Sequence, residues 1–569
     1  MAKDTTGEPL TMAFSLLWPK GRQQSGALPL EEGSAADLDV DKLVKFIAAD
    51  SKNETIIRNV FKHLCQDSGT INYRLDVLED LSNSPALTAC WESLVPVLSE
   101  MRYYTSHRDS ENWSELIEVV WRLRELEHYV RCVTDLNHAF SGLPGLRSEG
   151  LRKLKDLVAG IEKDPTFHKL KQELPALLTK INNLKSITLG VNLNAGMAPY
   201  QATLVSINSH KYSDGPLYDK LIGKSEFKGI APLHKAPDDS AYTNPLMIPI
   251  FRDIADIMRK AVRPLAKALR EFLSINSWLL IKLQEDFLFY LGAAKVVEGL
   301  RGHGIPMTRP EVADKDERVF EAREMYNINL AIHLLRGGAG RDDQPVKGII
   351  TNDFSLGDRG RIAIITGPNR GGKTTILQAV GLCQIMLQVG LYVPASQARI
   401  SPADNIFTHY PAKEELERGT GRFGEEAQRL RDLFGKATRS SLVLLNETLS
   451  STSMGESLFL AADLVRVLRL MGARVLYTTH LHQLAANIER INESTRGDSL
   501  LFSLVAMVKK EPDPDQPPGP DGRPVEKITP TFKIVPGPPE GQSYAVDLAR
   551  RFGISLAQLV NRLKERGEL

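Results

Sequence analysis

The stretch that decides the fold is Arg361-Ile362-Ala363-Ile364-Ile365-Thr366-Gly367-Pro368-Asn369-Arg370-Gly371-Gly372-Lys373-Thr374-Thr375. Its first half is an apolar, β-branched run and predicts a fully buried strand. Gly367, four residues, then Gly372-Lys373-Thr374 follow, and Ile376 to Leu387 is compatible with a helix. Glycines let backbone N–H groups crowd an anion without a Cβ in the way. The positive end of the following helix faces the same anion. Lys373 is positioned to meet β/γ-phosphates and Thr374 to offer a hydroxyl to Mg²⁺. The loop Gly367, Pro368, Asn369, Arg370, Gly371, Gly372, Lys373, Thr374, Thr375 therefore predicts nucleotide binding.

Outward from this loop, two further apolar runs end in polar groups. Ser441 to Asn446 predicts a second buried strand, with Glu447 following it, and Ala473 to Thr478 a third, leading to Thr479-His480. The first has the form of a Walker B strand. A carboxylate after such a strand can polarise an attacking water, so Glu447 is the candidate general base. The position that normally holds a metal-ordering aspartate is Asn446, which accepts a hydrogen bond but adds no negative charge. His480 is placed to sense the γ-phosphate or position the water. Between these elements lies Leu416 to Glu426, with Gly419, Gly421 and Arg422 before a helical run. Glycines and arginines in that order can form an anion nest facing a neighbour's nucleotide.

The bulk composition is that of a globular protein. The chain has 569 residues, 42% hydrophobic and 25% charged, with net charge +1. There is no global basic field, so nucleic-acid binding would need a local patch. Cys65, Cys90, Cys132 and Cys383 are far apart and lack metal spacing, which predicts reduced core thiols and a cytoplasmic setting. Met12 to Trp18 is too short to span a membrane, and no membrane partner is expected.

In chain order, residues 1–38 read as an irregular leader, with Gly21 to Ala36 a flexible connection. Residues 39–147 read as a helical core, broken at Asn83-Ser84-Pro85. Residues 148–300 read as a lever and a long helical arm running out and back. Ile187, Leu189, Val191 and Leu193 alternate with polar residues, and Ala202 to Ile207 follows, predicting a small β element. With the Pro- and Gly-rich stretch to Pro249, it forms a tip near 186–249. The returning helix runs from about Pro249 to Leu300, kinked at Pro264. Residues 301–344 read as a connection. Residues 345–569 alternate strands and helices and predict an α/β domain with a mainly parallel sheet, a solvated loop over 509–527 and closing helices from Tyr544 to Leu563. The fold class is thus an α/β phosphate-loop ATPase domain preceded by an all-α core and lever with an arm bearing a β element.

The region resembles the MutS family of DNA mismatch-repair ATPases, of the ABC-type class. The resemblance rests on Thr366 to Asn369 with Gly371 to Thr375, Gly390 to Ala395, Ile406-Phe407-Thr408, Gly419 to Phe423 with Glu426, Leu442 to Glu447, Thr452-Ser453, Thr479-His480 and Gly541 to Ala545. Asn72 to Leu78 is similar to the family's helical core. This resemblance implies ATP and Mg²⁺ as cofactors, with Thr374 and Asn446 at the metal. It implies a homodimer in which Gly419, Gly421 and Arg422 reach the partner's nucleotide, and Ile349 and Ile350 bordering the adenine. It implies DNA as the partner of a clamp gated by ATP. Three departures qualify it: Gly421 where a signature serine is expected, Arg370 for a methionine, and Asn446 for aspartate. The N-terminal region also shows no Phe-x-Glu wedge, so reading of mismatches in the usual way is not expected. The arm-tip cations Lys211, Lys220, Lys224, Lys228 and Lys235 are candidate phosphate contacts. Two other readings stay open: an ATP-gated factor on structured RNA or ribosomes, and a nucleotide-binding scaffold that scarcely hydrolyses ATP.

Overall fold

A computed structural model describes residues 14–19, 27–106, 115–143, 145–183, 185–197, 199–211, 263–336, 348–411, 421–512, 526–539 and 556–568. They fall into two compact units, one formed by Ser84–Leu146 and Leu151–Phe287, the other by Ala13–Asn83, Arg147–Gly150 and Leu288–Leu569.

The first unit is helical with one hairpin. Helices Pro85–Ser106 and Glu115–Ser141 pack along each other, and Glu149–Glu162 and Pro165–Asn182 follow. Each buries an apolar stripe, such as Leu151, Leu154 and Val158 in the third helix. Asp164 caps the fourth by accepting from the backbone N–H of Thr166 at 2.7 Å, and Pro165 sits at its first position, where a missing N–H costs nothing. Trp91 stacks on Phe287 with centroids 4.0 Å apart. Ser186–Leu193 pairs antiparallel with Pro199–Asn208, where the alternation puts a β element.

The returning helix is interrupted between Phe272 and Trp278. Residues 251–262 lie outside the described residues. Residues 263–269 are helical and continue into the short 3₁₀ turn Arg270–Phe272; a new helix starts at Trp278. The interruption is at Leu273 to Ser277; the turn before Pro264, where a proline kink would lie, falls outside the described residues. Buried Arg122 accounts for it, donating to the carbonyls of Phe272 and Ile275 at 2.9 Å each. Asn276 accepts from Trp278 N–H at 2.9 Å and starts the next helix.

In the second unit, a six-stranded sheet runs in the order Ile406–His409, Leu442–Asn446, Arg474–Thr478, Ile362–Thr366, Leu501–Pro512, Glu526–Pro536. The first five strands are parallel and the last is antiparallel. Every residue of Ile362–Thr366, Leu442–Asn446 and Arg474–Thr478 is buried, as expected for parallel strands covered on both faces. The helix Lys373–Gln388 is buried nearly all round. Its two buried amides are satisfied: Gln384 donates to the Ser401 carbonyl, and Gln388 to those of Cys65 and Ala403.

Three readings of the sequence are corrected here. The leader is built into the second unit: Leu16 and Leu17 are buried, Ala27–Pro29 pairs with His63–Cys65, and Glu32–Asp37 is a helix against Ile406–His409. Its short apolar pieces gain structure from long-range partners, since Tyr73 and Arg74 donate to the carbonyls of Ser15 and Leu17. The stretch 301–344 is more than a connection. Glu311–Val312 and Phe320–Met325 form a second sheet with Gln397–Ile400 and Asn352–Leu356. Both ends of the stretch read as a loop over 509–527 are strand, to Pro512 and from Glu526; 513–525 lies outside the described residues. Of the closing helices, Leu556–Glu565 is described, and 541–555 lies outside the described residues.

Candidate functional site

Three parallel strands end side by side. Thr478 closes the middle one, with Thr366 ending the strand on one side and Asn446 the strand on the other. Ligand sites in such sheets lie beyond the carboxyl ends of the strands, and the polar residues of all three meet there.

The turn after Thr366 is shaped by left-handed backbone. Gly367 has φ 134°, Arg370 φ 63° and Gly372 φ 90°, which glycine adopts freely and arginine does at a cost. Space is tight as well: a Cβ on Gly371 would lie 3.0 Å from the Pro368 carbonyl oxygen. Gly372 stands at the N-cap of Lys373–Gln388, so the turn directs free N–H groups and the helix's positive end to one point. Lys373 is 5% exposed, and its ammonium donates to the carbonyls of Gly367 and Pro368 at 3.0 Å each. Burial holds its pKa below the usual lysine value, with Glu447 opposing.

Thr374 and Thr478 donate to Oδ1 of Asn446 at 3.2 and 2.8 Å. The pair Thr374–Asn446 thus presents two neutral oxygens beside the phosphate loop. Oxygen donors suit Mg²⁺, which is often bound through one or two protein groups plus phosphates. The donor set fits that ion when it arrives with a nucleotide, and it supplies no carboxylate from the strand end itself. Among the described residues, no group of three His, Cys, Asp or Glu side chains forms a metal cage.

Glu447 turns the chain with φ 50°. Its Oε1 lies 2.8 Å from His480 Nε2 and 3.9 Å from Lys373 Nζ. His480 holds the Glu447 carboxyl below the usual glutamate value; burial opposes this and Lys373 assists. A cavity of about 200 Å³ opens beside the pair, lined among others by Thr452, Met454 and Thr479.

The structure therefore brings Gly367 to Thr375, Asn446, Glu447 and His480 together. Gly419 lies outside the described residues. Gly421 and Arg422 begin the helix Gly421–Lys436, and Phe423 next to them is 40% exposed. Ile349 is partly buried and Ile350 exposed, just before strand Asn352–Leu356. One neighbour of the loop went unread in the sequence: Phe532, exposed and at φ 59°. A Cβ on Gly372 would lie 3.5 Å from its ring. Asn352 fixes it there by donating to the Phe532 carbonyl at 3.1 Å and accepting from Ile534 N–H at 2.7 Å. A lone aromatic in Thr531-Phe532-Lys533 carries no periodic signal, so only the fold reveals it. Thr478 was read only as a strand end.

Two family models match this chain. MutS domain V covers residues 363–506, the span from the phosphate-loop strand through Glu447 and His480, and the MutS2 N-terminal domain covers 66–303. The chain is MutS-related. Endonuclease MutS2 of Thermus thermophilus is 30% identical over 231 residues, 41% of this chain and 27% of that protein. DNA mismatch repair protein MutS 2 of Halobacterium salinarum is 33% identical over 175 residues, 29% and 20% of the two chains. DNA mismatch repair protein MutS of Acetivibrio thermocellus is 39% identical over 144 residues, 25% and 17%. The MutS-related chain thus matches about a quarter or less of the length of these relatives. No helix among its described residues is long and apolar enough to cross a membrane.

Proposed function

We propose that this MutS-related chain is an ATPase that binds DNA as a dimer, with nucleotide state gating the grip. The observation that carries the reading is the meeting of Lys373, Thr374, Asn446, Glu447 and His480 at adjacent strand ends. Lys373 donates to its own loop's carbonyls. Phosphate oxygens would exchange for them, so Lys373 is held ready at little cost in side-chain ordering. Glu447, kept ionised by His480, accepts the proton of the attacking water, and His480 fixes the direction of the carboxylate. Thr374 and Asn446 would hold Mg²⁺ through oxygen or a bound water; the ion supplies neutralisation of developing phosphate charge. Asn446 brings no negative charge, so weak metal affinity and slow turnover are expected. Phe532 and Ile350 offer apolar surface for a base beside the loop.

Dimerisation is supported by apolar surface close to the site. Met454, Phe459, Val467 and Leu470 are 71%, 66%, 47% and 63% exposed on the helix Met454–Met471. Leu556, Leu559 and Leu563 are exposed on Leu556–Glu565. Faces of this kind mark association surfaces. Gly419, Gly421 and Arg422 would act across that interface on the partner's nucleotide. For DNA, Lys211 is exposed at the end of the hairpin; Lys220, Lys224, Lys228 and Lys235 lie outside the described residues. Contacts would be to phosphates and shape, with little base reading.

The test is a binding panel of plain, mismatched and branched DNA and structured RNA at low salt, with and without ATP. DNA binding that changes with ATP is expected. No DNA binding in any nucleotide state, or binding to structured RNA alone, would contradict the reading.

A further inference from the structure

Glu447 and Leu449 are both non-glycine residues with left-handed backbone, at φ 50° and 65°. Such a pair costs energy and persists only where surrounding contacts over-determine it. The contacts converge on Thr448 between them. His409, Leu445 and Tyr477 stand in one row across three parallel strands, so His409 and Tyr477 share a face of the sheet. The Tyr477 hydroxyl donates to the Thr448 carbonyl at 2.8 Å. His409 Nδ1 lies 3.0 Å from Thr448 Oγ1, and that hydroxyl is 3.4 Å from the His409 carbonyl, to which it donates. The turn's other backbone groups are tied too. Glu447 N–H donates to the Thr478 carbonyl at 2.8 Å, and Ser457 Oγ to the Leu449 carbonyl at 2.6 Å.

These groups are buried: His409 is 1%, Thr448 2% and Tyr477 0% exposed. The Nδ1–Oγ1 contact is a hydrogen bond in either neutral tautomer, Thr448 donating in one and accepting in the other. Burial, aided by Arg429, pushes the His409 pKa down to about 4, so the imidazole is neutral at neutral pH. A neutral, buried histidine is suited to hold a neighbour in place and unsuited to shuttle protons to solvent.

We propose that His409 and Tyr477 are positioning residues for Glu447: by clamping Thr448 from two strands they hold the left-handed turn that aims the Glu447 carboxylate at the phosphate loop. Neither touches the nucleotide region through Lys373 or Thr374. Their effect is on the base and not on binding. The inference rests on the ATPase reading above, with Glu447 as base.

The experiment compares steady-state turnover and ATP affinity for the full chain and for Thr448→Val, Tyr477→Phe, His409→Leu and His409→Asn. Misaiming a catalytic group by a fraction of an ångström lowers kcat about tenfold or more. That fall is expected in Thr448→Val and Tyr477→Phe, both near-isosteric, with ATP affinity unchanged to within about twofold. His409→Leu falls likewise, and His409→Asn, whose amide N–H can stand near the Nδ1 position, recovers most of the loss. In a Glu447→Ala background the same substitutions produce no further fall. Glu447-dependent turnover that survives intact in Thr448→Val and Tyr477→Phe overturns the positioning role alone. So does a matching loss of ATP affinity, which marks a general structural defect. Absence of Glu447-dependent turnover in the unmodified chain overturns the ATPase reading and this inference together.

Discussion

At the scale of single residues, the strand-end amide is the most consequential departure. Asn446 Oδ1 already accepts hydroxyls from Thr374 and Thr478, and an aspartate could accept both while adding charge for a cation. Asn446→Asp should therefore lower the Mg²⁺ concentration needed for half-maximal turnover, by about tenfold if the added charge contributes on the order of 1.4 kcal/mol. A Mg²⁺ titration of ATPase rate checks this. Glu447 makes a second prediction, through pH. Its folded-state pKa is depressed, chiefly by His480. Its stabilising contribution is thus present above the usual glutamate value of 4.5 and is lost as pH falls through the lower folded value. The acid limb of the rate profile should lie below that ordinary value in the unmodified chain. In His480→Gln the largest lowering influence is gone while burial still raises the pKa, so the limb should move upward. A pH–rate profile of the residual activity of the variant measures the shift.

Elements explain why particular glycines and straps matter. Gly390 has φ 78°, and a Cβ there would come within 2.3 Å of the Arg74 Cβ. Arg74 is fully buried, donates to the carbonyls of Leu17 and Val389 and stacks over Trp18. It ties the N-terminal segment to the end of the phosphate-loop helix. Gly390→Ala combines backbone strain with overpacking and should cost about 2–4 kcal/mol, read as a lowered midpoint in chemical denaturation. Three strands of the main sheet, Ile362–Thr366, Leu442–Asn446 and Arg474–Thr478, were legible because burial on both faces writes continuous apolar runs, whereas Ile406–His409 and Leu501–Pro512 were not read as strands. Lys373, Thr374, Asn446, Glu447 and His480 were legible because their spacing follows those strands. The N-terminal segment was not, since Ser15 to Trp18 is held by Tyr73, Arg74 and Tyr290 from far along the chain. Phe320 to Met325 has an alternating pattern with Phe320 and Ala322 buried, but it is short and lies in a charged stretch. His409, Tyr477 and Phe532 gain meaning only from neighbours on other strands.

At the scale of the whole molecule, the second unit gathers its parts from Ala13–Asn83 and from Leu288–Leu569, so the nucleotide site and the N-terminal helices share one body. The proposed dimer needs a surface to close the site. The exposed Phe459 and Leu470 on Met454–Met471 lead to the expectation that Phe459→Glu and Leu470→Glu leave the fold intact while weakening association. Light scattering after size exclusion, with ATP present, would report that change. The central claim is narrower than any partner: the Gly367–Thr375 loop and Glu447 form an ATP-hydrolysing site. The most direct measurement sets ATP turnover of the full chain beside that of Glu447→Ala, with ATP binding measured in both. Equal binding with turnover in the unmodified chain and little in the variant is the predicted result. Undetectable ATP binding, or turnover that is the same in both, would contradict it.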